Sequence, residues 1–110
     1  MLETILGNET AAKLMLYLFH YGEIYASGAA KDMGITLSQV QKQLDKFENG
    51  SVLVSKKIGN VRIYQFNPTL GIVKKFMTMI EGFYEAIPLE QRTELFSTRQ
   101  RPRRRGKPIL

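Results

Sequence analysis

The side chains with the clearest chemical potential lie between residues 36 and 46. Glutamine can bond to both N6 and N7 of adenine, and serine, threonine and lysine can contact bases or phosphates. Val40, Leu44 and Phe47 recur on the other side of the same stretch at helical spacing. The pattern predicts an amphipathic helix whose polar face contacts nucleic acid, the alternative being a face that is merely solvated. The predicted contact residues are Thr36, Ser38, Gln39, Gln41, Lys42 and Lys46.

A second polar group surrounds the dipeptide Gly59-Asn60. This dipeptide separates two runs rich in β-branched and aromatic residues, which is typical of a tight β-hairpin. The cations near its tip are predicted to contact phosphates or the minor groove. The alternative is that they only protect an exposed sheet edge. The residues concerned are Lys56, Lys57, Asn60 and Arg62.

The third group lies at the end of the chain, where the whole formal net charge of +6 is concentrated. The segment 103–108 resembles the core of an AT-hook, in which a central glycine lets the backbone lie deep in a narrow minor groove. A nonspecific basic arm that binds any polyanion is the alternative. In this segment the predicted contact residues are Arg103, Arg104, Arg105, Gly106 and Lys107.

Composition argues against catalysis and against stable metal binding. The chain has no cysteine and a single histidine, His20, so a thiolate site or a Ser-His-Asp triad is hard to assemble. We therefore expect no enzymatic activity, no metal and no cofactor. The start of the chain has acidic residues where a signal peptide would be apolar, and the longest apolar run, 14–19, is too short for a membrane span. A cytoplasmic location without a membrane partner is expected.

The spacing of apolar residues predicts the elements that position these groups. A first helix begins at Asn8 or Thr10 and stops at Gly22, and residues 24–25 are extended. A short helix over 26–33 follows, then a turn at Gly34 and a capped helix at about 36–49. After these come a hairpin at about 52–66, a long helix over 70–87 and a short helix to residue 96. The fold class is mainly α with a small antiparallel β-hairpin, with a domain at 1–97 and a tail at 98–110.

The stretch 30–40, Ala-Lys-Asp-Met-Gly-Ile-Thr-Leu-Ser-Gln-Val, forms a helix-turn-helix pattern. Together with the segments 50–54 and 63–68 it resembles ArsR-like winged helix-turn-helix transcriptional regulators. The resemblance covers about residues 5–87 and implies a winged-helix fold, with the hairpin as the wing, and sequence-specific DNA binding by a dimer. The cysteine and histidine positions that sense metals in some members are absent here, so a metal response is not implied.

The long helix over 70–87 has more apolar residues than a small domain is expected to cover. This surplus, together with Leu2, Ile5 and Leu6, predicts an isologous dimer interface, the alternative being a monomer in which these residues complete the core. The predicted interface residues are Val73, Phe76, Ile80, Phe83, Tyr84 and Ile87.

Taken together, these features predict a homodimeric, DNA-binding transcriptional regulator that represses by occupying its site. An effector or a partner protein is possible in principle, but no residue pattern identifies one. Two other functions remain open. A winged helix can serve as a protein-interaction adaptor, and an arginine-rich tail can bind RNA. The operator, the regulated genes and the direction of regulation do not follow from the sequence.

Overall fold

The computed structural model describes residues 1–96, which form six helices and three short strands. The predicted contact residues at 103–107 lie outside the described residues. In chain order the elements are α1 (Leu2–Leu6), α2 (Glu9–Tyr21), β1 (Ile24–Tyr25), α3 (Ala26–Met33), α4 (Leu37–Asn49), β2 (Leu53–Ile58), β3 (Val61–Phe66), α5 (Gly71–Ala86) and α6 (Leu89–Phe96).

Helices α3 and α4 form the predicted helix-turn-helix. Gly34 ends α3 with φ 67°, a left-handed conformation that side chains other than glycine rarely adopt. The backbone N–H of Ile35 donates back to the carbonyl of Ala30, which closes the turn. Thr36 then caps α4 in a complete capping box with Gln39. The direction in which α4 leaves α3 is therefore fixed by local backbone chemistry.

The sheet has three strands in the order β1-β3-β2, all antiparallel. Strands β2 and β3 are joined by Gly59-Asn60, and Gly59 has the positive φ, 62°, that a tight hairpin requires. The sequence predicted the hairpin and the extended pair Ile24–Tyr25. It did not predict that β1 would pair with β3, because a pair of residues carries too little pattern to specify a partner strand.

The core is centred on α2, against which α1, α4 and α5 pack, and the sheet contacts α4 through β2 and α3 through β1. Tyr64 and Phe66 face this core, as their shared face of β3 predicts. The largest fully buried side chains are Leu14, Met15, Leu18, Ile24, Leu44, Leu53, Ile80 and Val40.

One end of the domain differs from what the pattern predicts. Leu2–Leu6 forms the short helix α1, and Leu2 is buried in the chain's own core instead of being available to a partner. At the other end, α5 ends at Ala86 and α6 begins at Leu89 after Pro88, close to the predicted helices over 70–87 and to residue 96, and the described residues contain no long C-terminal helix beyond these two. Within residues 1–96 no helix is long and apolar enough to cross a membrane.

The N-cap of α2 provides a test of the fold. The Asn8 side chain accepts a hydrogen bond of 2.7 Å from the backbone N–H of Ala11, whereas Thr10 lies inside the helix. We expect Asn8→Ala to lower the free energy of unfolding by about 0.5–2 kcal/mol. The matched variant Thr10→Ala removes no cap, and its loss should be clearly smaller in urea denaturation. Equal losses for the two variants would contradict this assignment.

Candidate nucleic-acid interface

The outward face of α4 is a narrow strip that the rest of the domain leaves uncovered. Val40, Leu44 and Phe47 are buried, as predicted. Residues one and two turns apart on the opposite side share a direction, because a helix repeats every 3.6 residues. The exposed strip consists of Ser38, Lys42, Asp45 and Asn49.

One flank of this strip is held by α1 and α2. The Lys46 ammonium donates to the carbonyl of Leu6 at 3.3 Å and lies 4.8 Å from the centroid of the Phe47 ring. Gln43 is only 8% exposed, and its Oε1 accepts from Asn8 Nδ2 at 3.4 Å. Lys46 caps the C-terminus of α1, so its ammonium points towards the domain's own backbone. Lys42 is therefore better placed than Lys46 to contact a nucleic acid.

The capping box also engages two of the predicted contact residues. Gln39 Oε1 accepts from both the backbone N–H and the hydroxyl of Thr36, at 3.2 and 2.9 Å. Bidentate contact with adenine needs both the oxygen and the nitrogen of a glutamine side chain. In this arrangement the Gln39 oxygen already has partners, so the box must open before Gln39 can bind adenine in that way.

The other flank is bonded to the sheet. Gln41 Nε2 donates to the hydroxyl of the buried Tyr64 at 3.0 Å and to Asp45 Oδ1 at 2.9 Å. Further along the helix, the Ser55 hydroxyl donates to the Glu48 carboxylate and accepts from the Arg62 guanidinium at 3.1 Å. These bonds join α4 to β2 and β3 at two levels and fix the angle between them.

We call the β2–β3 hairpin, residues 53–66, the wing. Its register places Lys57 directly opposite Arg62, and Lys56 opposite Ile63. All three cations are exposed, as is Asn60 at the turn. Like charges directly opposite one another destabilise a sheet. In the described part of the chain the ion pairs join the N-terminal amine to Glu3 and Lys13 to Glu9, so neither neutralises the wing.

The structure therefore separates the predicted contact residues into two groups. Lys42, Lys56, Lys57 and Asn60 face solvent, and their side chains make no hydrogen bond within residues 1–96. Ser38 and Arg62 are exposed but contact the hydroxyls of Thr36 and Ser55. Thr36, Gln39, Gln41 and Lys46 are exposed or half-buried but already take part in hydrogen bonds within the domain. The predicted recognition surface is brought together, with fewer free donors and acceptors than the sequence indicates.

The predicted dimer residues also divide into two groups. Val73 and Ile80 are 4% and 0% exposed and belong to the chain's own core, so a partner helix could not reach them. Tyr84 binds His20 Nδ1 through its hydroxyl at 2.7 Å. The predicted dimer residues that are half-exposed are Phe76, Phe83, Tyr84 and Ile87.

No other part of the described structure offers a more convincing site. Residues 1–96 contain no cluster of three or more His, Cys, Asp or Glu side chains that could hold a metal ion. A pocket of about 140 Å³ lies between α2, α3 and α6, which is small beside the roughly 300–1,000 Å³ of typical ligand sites. Its lining is Lys13, Leu16, Tyr17, Asp32, Met33, Leu95 and Phe96.

The sequence did not predict the burial of one residue, Gln43, or the exposure of two others, Ile58 and Val61. Gln43 was not expected inside, because a single glutamine gives no sign that Asn8 will lie beside it. Ile58 and Val61 are 57% and 40% exposed at the tip of the wing. Their position could have been inferred, since residues that flank a two-residue turn have no further strand or helix to cover them.

The sequence matches no protein-family model and no curated protein. Among solved structures it is similar to the adhesin competence repressor (AdcR) of Streptococcus pyogenes, with TM-score 0.52 and 14% identity over 80% of this chain and 67% of that one. It is also similar to an apo mutant of ZitR from Lactococcus lactis, with TM-score 0.50 and 17% identity over 86% of this chain and 70% of that one. Both have a winged-helix fold. The predicted winged-helix fold is thereby confirmed, whereas identities this low say nothing further about function.

The link between α4 and the wing can be tested through Gln41 and Tyr64. Tyr64→Phe keeps the buried ring but removes the hydroxyl that Gln41 contacts. We expect it to lower the free energy of unfolding by about 0.5–1.5 kcal/mol. Gln41→Ala should cost a similar amount, and the double variant should cost less than the sum, because both single changes remove the same bond. Strict additivity in the cycle would mean that the bond contributes nothing to stability.

Proposed function

We propose that the protein is a sequence-specific, double-stranded-DNA-binding transcriptional regulator that acts as a repressor by occupying its site. A helix-turn-helix places its second helix in the major groove, and a wing beside it contacts the neighbouring backbone or minor groove. The fold that this chain shares with AdcR, whose name describes a repressor, supports that direction of regulation.

The observation that carries the proposal is the uncompensated charge of the wing. Residues 49–80 include five lysines and arginines and no acidic residue. Within this stretch Lys57 and Arg62 lie opposite each other although their repulsion disfavours the hairpin. The phosphates of a polyanion that lies along the wing would attract both Lys57 and Arg62 and would offset the repulsion between them. Glu48, which is linked to Arg62 through Ser55, limits the positive charge at the base of the wing and leaves it strongest towards the tip.

Within α4, the first two turns are best placed to contact bases. Ser38 and Lys42 project from them towards solvent, and Lys42 is the more suitable for guanine or phosphate. Asp45 lies further along the same strip and would repel phosphates, so the contact is concentrated before it. Gln39 joins the contact only where binding opens the capping box.

The second element of the proposal is a dimer formed through one stripe of α5. Ile72, Phe76, Met79 and Phe83 follow the 4-3-4 spacing of a coiled-coil seam, and all four are exposed or half-buried. Val73 and Ile80 lie on the neighbouring face and keep α5 on its own core. A symmetric pair would present two α4 helices to the two halves of a palindromic site. The basic residues at 103–107 would add affinity, as a minor-groove or nonspecific arm.

The wing charges provide the main test. Lys57→Gln and Arg62→Gln should each weaken binding to every duplex and flatten log K against log salt by ~0.9 for each phosphate that is no longer neutralised. The stability of Lys57→Gln should stay equal or rise, because a repulsion is removed. Arg62→Gln removes the same repulsion but also loses the bond to Ser55, so its stability should lie below that of Lys57→Gln. Lys13→Gln, the same change at a lysine paired with Glu9, is the control and should leave binding unchanged.

Binding is measured by fluorescence anisotropy on duplexes selected from a random library, with RNA as competitor. Variants that bind duplex DNA as well as the unmodified protein does would refute the role of the wing. Preference for the RNA competitor would favour the RNA-binding function, and no nucleic-acid binding at all would favour the adaptor.

The dimer is tested by comparing two glutamates placed on the same helix. Phe83→Glu should give a folded monomer, whereas Ile80→Glu should unfold the chain because it buries a charge in the core. Thr78→Glu adds the same charge outside the stripe and should remain a dimer. Light scattering and circular dichroism distinguish these outcomes. An unmodified protein that stays monomeric at all concentrations would rule out the α5 interface.

A further inference from the structure

The tip of the wing carries an apolar pair that residues 1–96 leave about half exposed. Ile58 and Val61 lie opposite each other in the register, on either side of Gly59-Asn60, and are 57% and 40% exposed. Hairpin tips are usually polar, since apolar surface gains free energy only when water is excluded from it. A pair of β-branched residues at this position points to an apolar surface that is buried when the protein binds its partner.

The two faces of the wing differ near this tip. Directly paired residues share a face and successive residues alternate between faces. Lys57 and Arg62 therefore lie on the face that continues from the core, and Ile58 and Val61 lie on the opposite one, which also carries Lys56. The hairpin ends in an apolar wedge with cations on both faces behind it.

This combination favours duplex DNA over a protein as the occupant. The wing, residues 53–66, has three cations and no acidic residue, so its electrostatic complement is an anionic surface. Proteins that bend DNA insert apolar side chains between base steps from the minor groove while cations hold the flanking phosphates. Gly59 and Asn60, which form the turn beyond Ile58 and Val61, are small residues, and this suits entry into the minor groove of DNA, which is about 6 Å wide. A-form RNA lacks a minor groove narrow enough to grip a hairpin tip.

We propose that Ile58 and Val61 form a wedge that enters the minor groove and partly unstacks one base step, which kinks the duplex. This inference rests on the proposed DNA-binding function. The hydrogen bonds of Gln41 with Tyr64, and of Ser55 with Glu48 and Arg62, hold the wing at a fixed angle to α4. The kinked step therefore lies at a fixed distance from the bases that α4 contacts. Steps that unstack easily, such as TA and CA, are preferred there although no side chain bonds to their edges.

The test uses the full chain and the duplex selected as above, with bend angle measured by energy transfer between the duplex ends. Unstacking is followed by the fluorescence of 2-aminopurine placed at each step in turn. The unmodified complex should be bent by about 20–90° and should show one bright position. Ile58→Thr combined with Val61→Thr keeps the β-branched backbone preference but should abolish the bright position and most of the bend.

Affinity should fall about tenfold, as expected when roughly 60 Å² of apolar surface is left unburied, while the salt dependence stays unchanged. Leu89→Thr, a comparable change at an exposed apolar residue at the start of α6 and outside the α5 stripe, should leave bend and fluorescence unchanged. Each single wing variant should give an intermediate result, and thermal melts confirm that all variants are folded.

Two results would overturn the wedge while leaving the proposed function intact. One is tight binding of the unmodified protein to straight DNA without a bright position. The other is a double variant that bends and unstacks DNA as the unmodified protein does. Failure of the unmodified protein to bind any duplex would instead remove the proposed function, and the wedge with it.

Discussion

The burial of one face of α4 is the constraint on which the rest of the interface depends. Val40 and Leu44 are fully buried against α2, and Phe47 is nearly so. Each contributes on the order of 1.5–3 kcal/mol relative to an exposed position. A rotation of α4 by a single residue, about 100°, would turn this face out of the core and move the charged strip away from its outward direction. The outward direction of Ser38 and Lys42 is therefore determined by hydrophobic packing and not by any attraction between these polar residues and DNA.

Packing on one face alone would still allow α4 to tilt relative to α1 and the wing. Hydrogen bonds on both flanks of the helix oppose this movement. Towards α1, Lys46 caps the Leu6 carbonyl and Gln43 meets Asn8. Towards the wing, Gln41 bonds to Tyr64. Half-buried hydrogen bonds of this kind contribute modestly to stability, about 0.5–1.5 kcal/mol each, but removing one partner leaves the other unsatisfied. Their main effect is directional, because they define where α4 lies relative to the wing.

The sequence predicts those parts of this arrangement that are set by local chemistry. The Thr36–Gln39 box, the Gly34 turn and the Gly59-Asn60 hairpin each follow from a few adjacent residues, and the buried face of α4 follows from its period. What the sequence does not show is which polar groups find one another across the fold. Gln41 looks like a base-contacting residue until Tyr64, 23 positions away, is seen to accept its hydrogen bond. Likewise, the apolar surplus of α5 predicts burial without telling whether Ile80 is covered by its own chain or by a partner.

The charge distribution and the apolar tip lead to the same physical conclusion about the wing. In the hairpin Lys57 is paired with Arg62, and their like charges repel each other, while the neighbouring pair Ile58 and Val61 leaves apolar surface exposed to water. A ligand that is anionic at its rim and apolar in its interior would offset the repulsion and bury the apolar surface together. The DNA minor groove has this character, with phosphates along its edges and stacked bases behind them. Hydrogen bonds link α4 to the wing, so in the proposed complex the free energy gained at the wing would be available only when α4 also lies at its own site. Under that proposal the binding energy would depend on how readily the duplex deforms beside the bases contacted by α4.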